Sequence, residues 1–161
     1  QEDYIIRLFS EAFDLLEHKQ QMIESLRKKD WWYWKVKADI AALEGDWQSC
    51  FDYLDQAMSG VPKSHLAQVI AIWVKNVVFN DLQDLFSEAI ERCEEALRLQ
   101  SRGSGLTYTG KLTIWLILRQ EEDQQKGLKA VTEAAQKWHF SQRQVDTFLQ
   151  EGLRDEFPAL P

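Results

Sequence analysis

Three histidines, two cysteines and several runs of carboxylates are the side chains in this chain that could hold a metal or move a proton. A zinc site needs His and Cys ligands close together, for instance at i and i+4 on one helix face. His18, His65 and His139 have no such neighbour, and Cys50 and Cys93 are too far apart for a Cys-x-x-Cys site. These positions read as solvated histidines and inert, packed thiols. Gly103 and Gly105 lack the following Lys and the preceding strand of a phosphate-binding loop. Glu94-Glu95 and Glu121-Glu122-Asp123 read as solvated helix faces. No catalytic, metal or cofactor residue is assigned, so the chain is not expected to be an enzyme.

Charge excludes other classes. The net charge is −7, with a pI near 5.0. The one basic cluster, Arg27-Lys28-Lys29, is flanked by Glu24 and Asp30. Nucleic-acid binding needs a basic footprint to displace counterions, so it is not expected. The longest apolar stretch, Val69 to Val74, ends at Lys75 and is far short of the ~18 residues that suggest a membrane span. Two cysteines make no disulfide framework, which points to a reducing compartment, cytosol or nucleus. The sequence opens at Gln1 without an initiator Met or signal peptide, and is read as a piece of a larger protein.

The remaining side chains must build a scaffold. Hydrophobic residues make up 45% and charged residues 28%, the balance of a folded chain. Ile5, Leu8, Phe9, Ala12, Phe13 and Leu16 recur at steps of three and four, which predicts a first helix over 3–28. Asp30, Gly45, Asp46, Gly60-Val61-Pro62 and Ser64 punctuate the next stretch. They predict helices over 31–44, 47–59 and 65–79. A fifth helix is expected from Asn80 or Asp81 to about Gln100. Ser101-Arg102-Gly103-Ser104-Gly105 reads as a flexible linker. Further helices are expected over 108–120, 123–138 and 142–152, the last opened by a capping box at Ser141-Gln142-Arg143-Gln144. The tail Phe157-Pro158-Ala159-Leu160-Pro161 cannot be helical throughout. The expectation is a single all-α domain over 1–161 of seven to eight helices. Its better-matched repeats lie in 1–100, its linker in 101–106, a weaker repeat and capping helix in 107–153, and its tail in 154–161.

An internal repeat underlies that order. Leu8-Phe9-Ser10-Glu11-Ala12 returns unchanged as Leu85-Phe86-Ser87-Glu88-Ala89. Trp34 and Trp73 are each followed, at matching intervals, by an aromatic (Trp47, Phe86), a small residue (Cys50, Ala89), Leu54 or Cys93, and an alanine (Ala57, Ala96). The same frame run backwards puts Phe9, Ala12 and Leu16 on the second helix of a preceding pair. Small residues let helices approach closely, and aromatics fill the space between neighbouring pairs.

This pattern resembles the tetratricopeptide repeat. The better copy runs from Trp31 to Pro62, with Trp34, Ala38, Gly45, Trp47, Ala57 and Pro62 at motif positions. It departs at Lys37, where the family has Leu, and at Ala41, where it has Tyr. In the second copy Val77 replaces the small residue, and a third copy near Trp115 is weak. The resemblance implies a right-handed α-solenoid of antiparallel helix pairs, whose first helices line a concave groove. Carried over, the groove positions are Trp32, Lys35, Asp39 and Ala42 from one copy, and Ala71, Val74, Val78 and Asp81 from the next. Thr113 and Leu116 follow from the third. Some family members grip a terminal carboxylate with Lys, Asn and Arg. Here Lys35 matches one such position, but Asp39 stands where an Asn is needed and would repel the ligand.

Trp31-Trp32-Tyr33-Trp34 cannot all face one core, because a helix turns about 100° per residue. Trp34 is assigned to the repeat core, Tyr33 and Trp31 to the first helix, and Trp32 to the groove; burial of all four is the alternative. The functional expectation is a scaffold or adaptor. Its groove would bind a short helical or extended apolar segment of a partner protein, with basic flanks suited to the acidic surface. The alternative is a structural slice of a longer solenoid.

Overall fold

The computed structural model describes the backbone of residues 2–26, 30–100 and 105–161, and the side chains of all of these except residues 2–6 and Phe9. Arg27, Lys28 and Lys29, the linker from Ser101 to Ser104, and the side chains of Ile5 and Phe9 of the first apolar face therefore lie outside what is described. Every regular element among the described residues is helical. The chain divides into two compact units, Gln1–His65 and Leu66–Pro161.

The first unit holds α1 (Glu2–Ser25), α2 (Trp31–Leu43) and α3 (Trp47–Gly60). Gly45 ends α2 in the left-handed region at φ 77°. There the amides of Gly45 and Asp46 donate to the carbonyls of Ala42 and Ala41 at 3.1 and 2.9 Å, the double bond of a Schellman ending. One residue on, the Asp46 carboxylate accepts from the Ser49 amide at 3.1 Å and opens α3. Asp30 stands at the N-cap of α2 as expected but makes no capping bond. Because the turn is so short, α2 and α3 run antiparallel. Trp34 stacks on Tyr53 at 5.9 Å, and Lys37 lies over both Tyr33 and Tyr53. Val36, Ala38, Cys50, Leu54 and Ala57 are fully buried.

The second unit begins within α4 (Lys63–Phe79) and continues through α5 (Phe86–Leu99), α6 (Tyr108–Gln120) and α7 (Gln124–Lys137). It closes with α8 (Gln142–Thr147), a π-helical turn Phe148–Gly152, and α9 (Leu153–Glu156). The predicted start of α5 at Asn80 or Asp81 is corrected. Asp81 takes φ 49° as the left-handed ending of α4, a 3-10 turn Gln83–Leu85 intervenes, and α5 starts at Phe86. Asp81 is held there by Arg119, whose guanidinium donates to both carboxylate oxygens at 3.1 and 3.3 Å. These bonds draw the carboxyl of Asp81 below its usual range.

In α6, the run Leu112 to Leu116 is buried on every side, as befits a central helix. Trp115 donates its indole N–H to the Pro158 carbonyl at 2.9 Å. That bond holds the tail extended while Phe157 is buried against Phe148 and Tyr108. The helix expected to end at 152 carries on to Glu156, with one wide turn inserted.

Candidate interaction surface

In α2, Trp32, Lys35 and Asp39 do share one face. The Asp39 carboxylate accepts from Lys19 of α1 at 2.8 Å and from Lys35 at 3.0 Å, all three side chains being about one-fifth exposed. The Lys35 ammonium also lies 4.8 Å from the centre of the Trp32 ring, a cation–π contact. Trp31 meets Trp32 edge-on at 5.2 Å and His65 at 5.5 Å. Both charges of the nominated pair are thus committed inside the unit. Lys35 is not the free cation that a carboxylate clamp requires.

The aliphatic half of the nominated site meets a different fate. Val74, Val78 and Leu116 are 0% exposed, so they are core side chains and offer no surface to a partner. Ala71 is half-buried. The physical reason is already visible in composition: α4 and α6 are apolar around most of their circumference, and such helices bury more than one side. Trp34 is likewise corrected: it is half-buried, and Tyr33 alone of the four-aromatic run is buried.

Cys50 sits at a small-residue position of the repeat frame and Cys93 at the position that Leu54 holds in the first copy; both are buried. Burial pushes each thiol up to about 12. For Cys50 the nearby carboxylates of Asp39 and Asp46 add to the effect. For Cys93 a hydrogen bond with Thr113 opposes it. Among the described residues no group of three His, Cys, Asp or Glu side chains could hold a metal ion. A cleft of about 680 Å³ in the second unit is edged by an ion pair of Lys111 and Glu156 at 3.0 Å.

The surface the repeat frame did not nominate is on α1. Lys19 pairs with Asp39, and Leu16, Lys19, Met22 and Ile23 are half-buried, so the C-terminal half of the helix rests on α2. Continued toward the N-terminus at 100° per residue, the same stripe passes through Leu15, Ala12 and Leu8. There it is bare. Leu8 and Leu15 are each 45% exposed and Phe13, at the stripe's edge, 68%; Ala12 is exposed too. Lengths explain the overhang. With 24 residues against 13, α1 is about 36 Å long and α2 about 20 Å.

A signal for this surface was present in the sequence. Ala12 occupies the frame position of Cys50 and Ala89, both fully buried in α3 and α5. In α1 the close-packing position is open. The fold and surface define an all-α protein. No family model, no curated protein and no solved structure matches the chain. No helix among the described residues is long and apolar enough to cross a membrane.

Proposed function

We propose that this chain is a helical-repeat interaction module, tetratricopeptide-like in its pairing, that binds an apolar helical segment of another protein along the overhanging half of α1. The observation that carries the reading is the stripe Leu8–Ala12–Leu15 with Phe13 beside it. It is continuous with a packed interface at one end and exposed at the other. A small residue at Ala12, where α3 and α5 have buried small residues, suits the close approach of another helix. Exposed large apolar side chains grouped on one helix mark interaction sites more than scattered ones do. Glu11, which Arg7 meets at 3.7 Å, borders the stripe, and the chain carries a net charge of −7, so a segment with Lys or Arg flanks is favoured.

The alternative, a slice of a longer solenoid, is favoured by the same open frame position: the missing cover would then be another helix of the same polypeptide. Site-specific photocrosslinking separates the two. A photoreactive residue at position 13 of the full-length protein is expected to join to a second protein. Crosslinks only within the same polypeptide support the solenoid slice, and the absence of any crosslink removes the α1 site.

A further inference from the structure

The second unit carries an apolar groove that the α1 surface does not explain. Leu118 of α6, Leu128 of α7, Leu149 of the π turn, Leu153 of α9 and Leu160 of the tail line a depression of about 500 Å³. That volume is in the range of pockets that take ligand side chains. Two backbone features create it. At Gly127 a Cβ would come within 3.2 Å of Leu118, so the glycine lets α7 approach α6 closely there. The wide turn Phe148–Gly152 sets Leu149 and Leu153 along one side, as π turns re-aim side chains within a helix. Leu128 is 41% exposed, and the other four leucines are partly so.

One rim is a run of three carboxylates, Glu121, Glu122 and Asp123, while no Lys or Arg lines the groove. Asp123 is spent on capping α7, accepting from the Gln125 and Lys126 amides. Glu121 and Glu122 are exposed, and no described Lys or Arg forms an ion pair with either. Glu121 does accept from the Asp123 amide at 3.4 Å, but a leucine-lined floor beside carboxylates that no described cation neutralises selects its occupant by chemistry: apolar anchors supply the affinity, and cations beside them the orientation and encounter rate.

We infer that this groove is a docking site for a leucine-bearing peptide segment of another protein with Lys or Arg next to its anchors, separate from the surface on α1. The probe is a synthetic, fluorescently labelled helix of about four turns, with leucines along one face and lysines flanking them. Titration by anisotropy is expected to show saturable binding that weakens with salt. Leu128→Asp is expected to weaken it at least ~10-fold, the loss of one anchor of a small interface. Replacing both Glu121 and Glu122 by Gln is expected to weaken it severalfold and flatten the salt dependence. Phe13→Glu on α1 leaves it unchanged. Because Leu128 is on the surface, its variant is expected to keep the wild-type melting curve; Glu121→Gln/Glu122→Gln supplies a second readout that disturbs no packing.

The inference is overturned by any of four results. Binding is unaffected by Leu128→Asp. A probe with alanines for leucines binds equally well, which leaves charge alone. Phe13→Glu abolishes binding, which moves the site to α1. Sedimentation shows a dimer that Leu128→Asp dissociates, which makes the occupant a second copy.

Discussion

At the scale of single residues, three of the described residues end helices in a left-handed conformation, and one of the three is glycine. Gly45, Asp81 and His139 each close a helix with the same pair of amide bonds. The glycine turn was readable from composition, since only glycine takes φ near 77° without a Cβ penalty. His139, read as a solvated surface histidine, is exposed but also serves as a backbone ending at φ 58°. Nothing in its side chain announces that role. Gly45→Ala is therefore expected to lower stability by about 1 kcal/mol, and His139→Gly to raise it by up to about 1 kcal/mol, as seen in denaturant midpoints at unchanged slope. The thiols give a second residue-scale expectation. An ordinary cysteine titrates near 8.5, whereas burial holds Cys50 and Cys93 at about 12. With the folded value raised, the unfolded chain releases these protons first, so their contribution to stability is intact below about pH 8.5 and falls as pH rises toward 12. At pH 8 both are expected to resist iodoacetamide in the folded protein and to react promptly once it is unfolded. Rapid labelling of either in the native state would contradict its burial.

At the scale of elements, the sequence was most legible where one periodic face met a strong stop. The turn from α2 to α3 needed only Gly45 and Asp46, and the expected and observed bounds there differ by a residue or so. The linkage of α4 to α5 departs from the expectation because Asn80 and Asp81 have the chemistry of helix starters, yet α5 begins at Phe86. In fact Arg119 of α6, which is distant in sequence, holds Asp81 as a helix ending. The capping box at α8 was half right for a similar reason. Ser141 accepts from the Gln144 amide at 3.4 Å, as read. The Gln144 side chain, instead of returning to the cap, accepts from the Leu106 amide at 2.6 Å and ties down the entry to α6. Long-range partners of this kind leave no local trace. Ser141→Ala is expected to cost about 1 kcal/mol through its lost cap. Gln144→Ala is expected to leave the helix end intact while speeding hydrogen exchange at Leu106, a change local to the loop. Equal exchange at Leu106 in both proteins would deny that tether.

At the scale of the whole molecule, the repeat frame located buried positions well and open surface poorly. Cys50, Leu54, Ala57, Ala89, Cys93 and Ala96 all fall in the core, because the spacing of small and large residues records how closely helices approach. The frame could not tell which faces of α4 and α6 were covered, since a helix that is apolar all round gives no sign of an exposed side. The groove it placed at Val74, Val78 and Leu116 is filled by the chain itself, while three of the exposed large apolar side chains, Leu8, Phe13 and Leu15, lie together on α1, and others, Leu128 among them, are spread over later elements. A pair of charge insertions tests this division directly. Val74→Glu places a carboxylate at a fully buried position, which is expected to destabilise the protein by more than about 4 kcal/mol or leave it unfolded. Phe13→Glu acts on a side chain that is 68% exposed, and is expected to change stability by less than about 0.5 kcal/mol. The same two substitutions read function in opposite ways. If the partner lies along α1, Phe13→Glu abolishes its capture while circular dichroism and the denaturation midpoint stay at wild-type values. A Phe13→Glu protein that unfolds shows the stripe to be packed after all. One that stays folded and still captures its partner moves the binding face off α1.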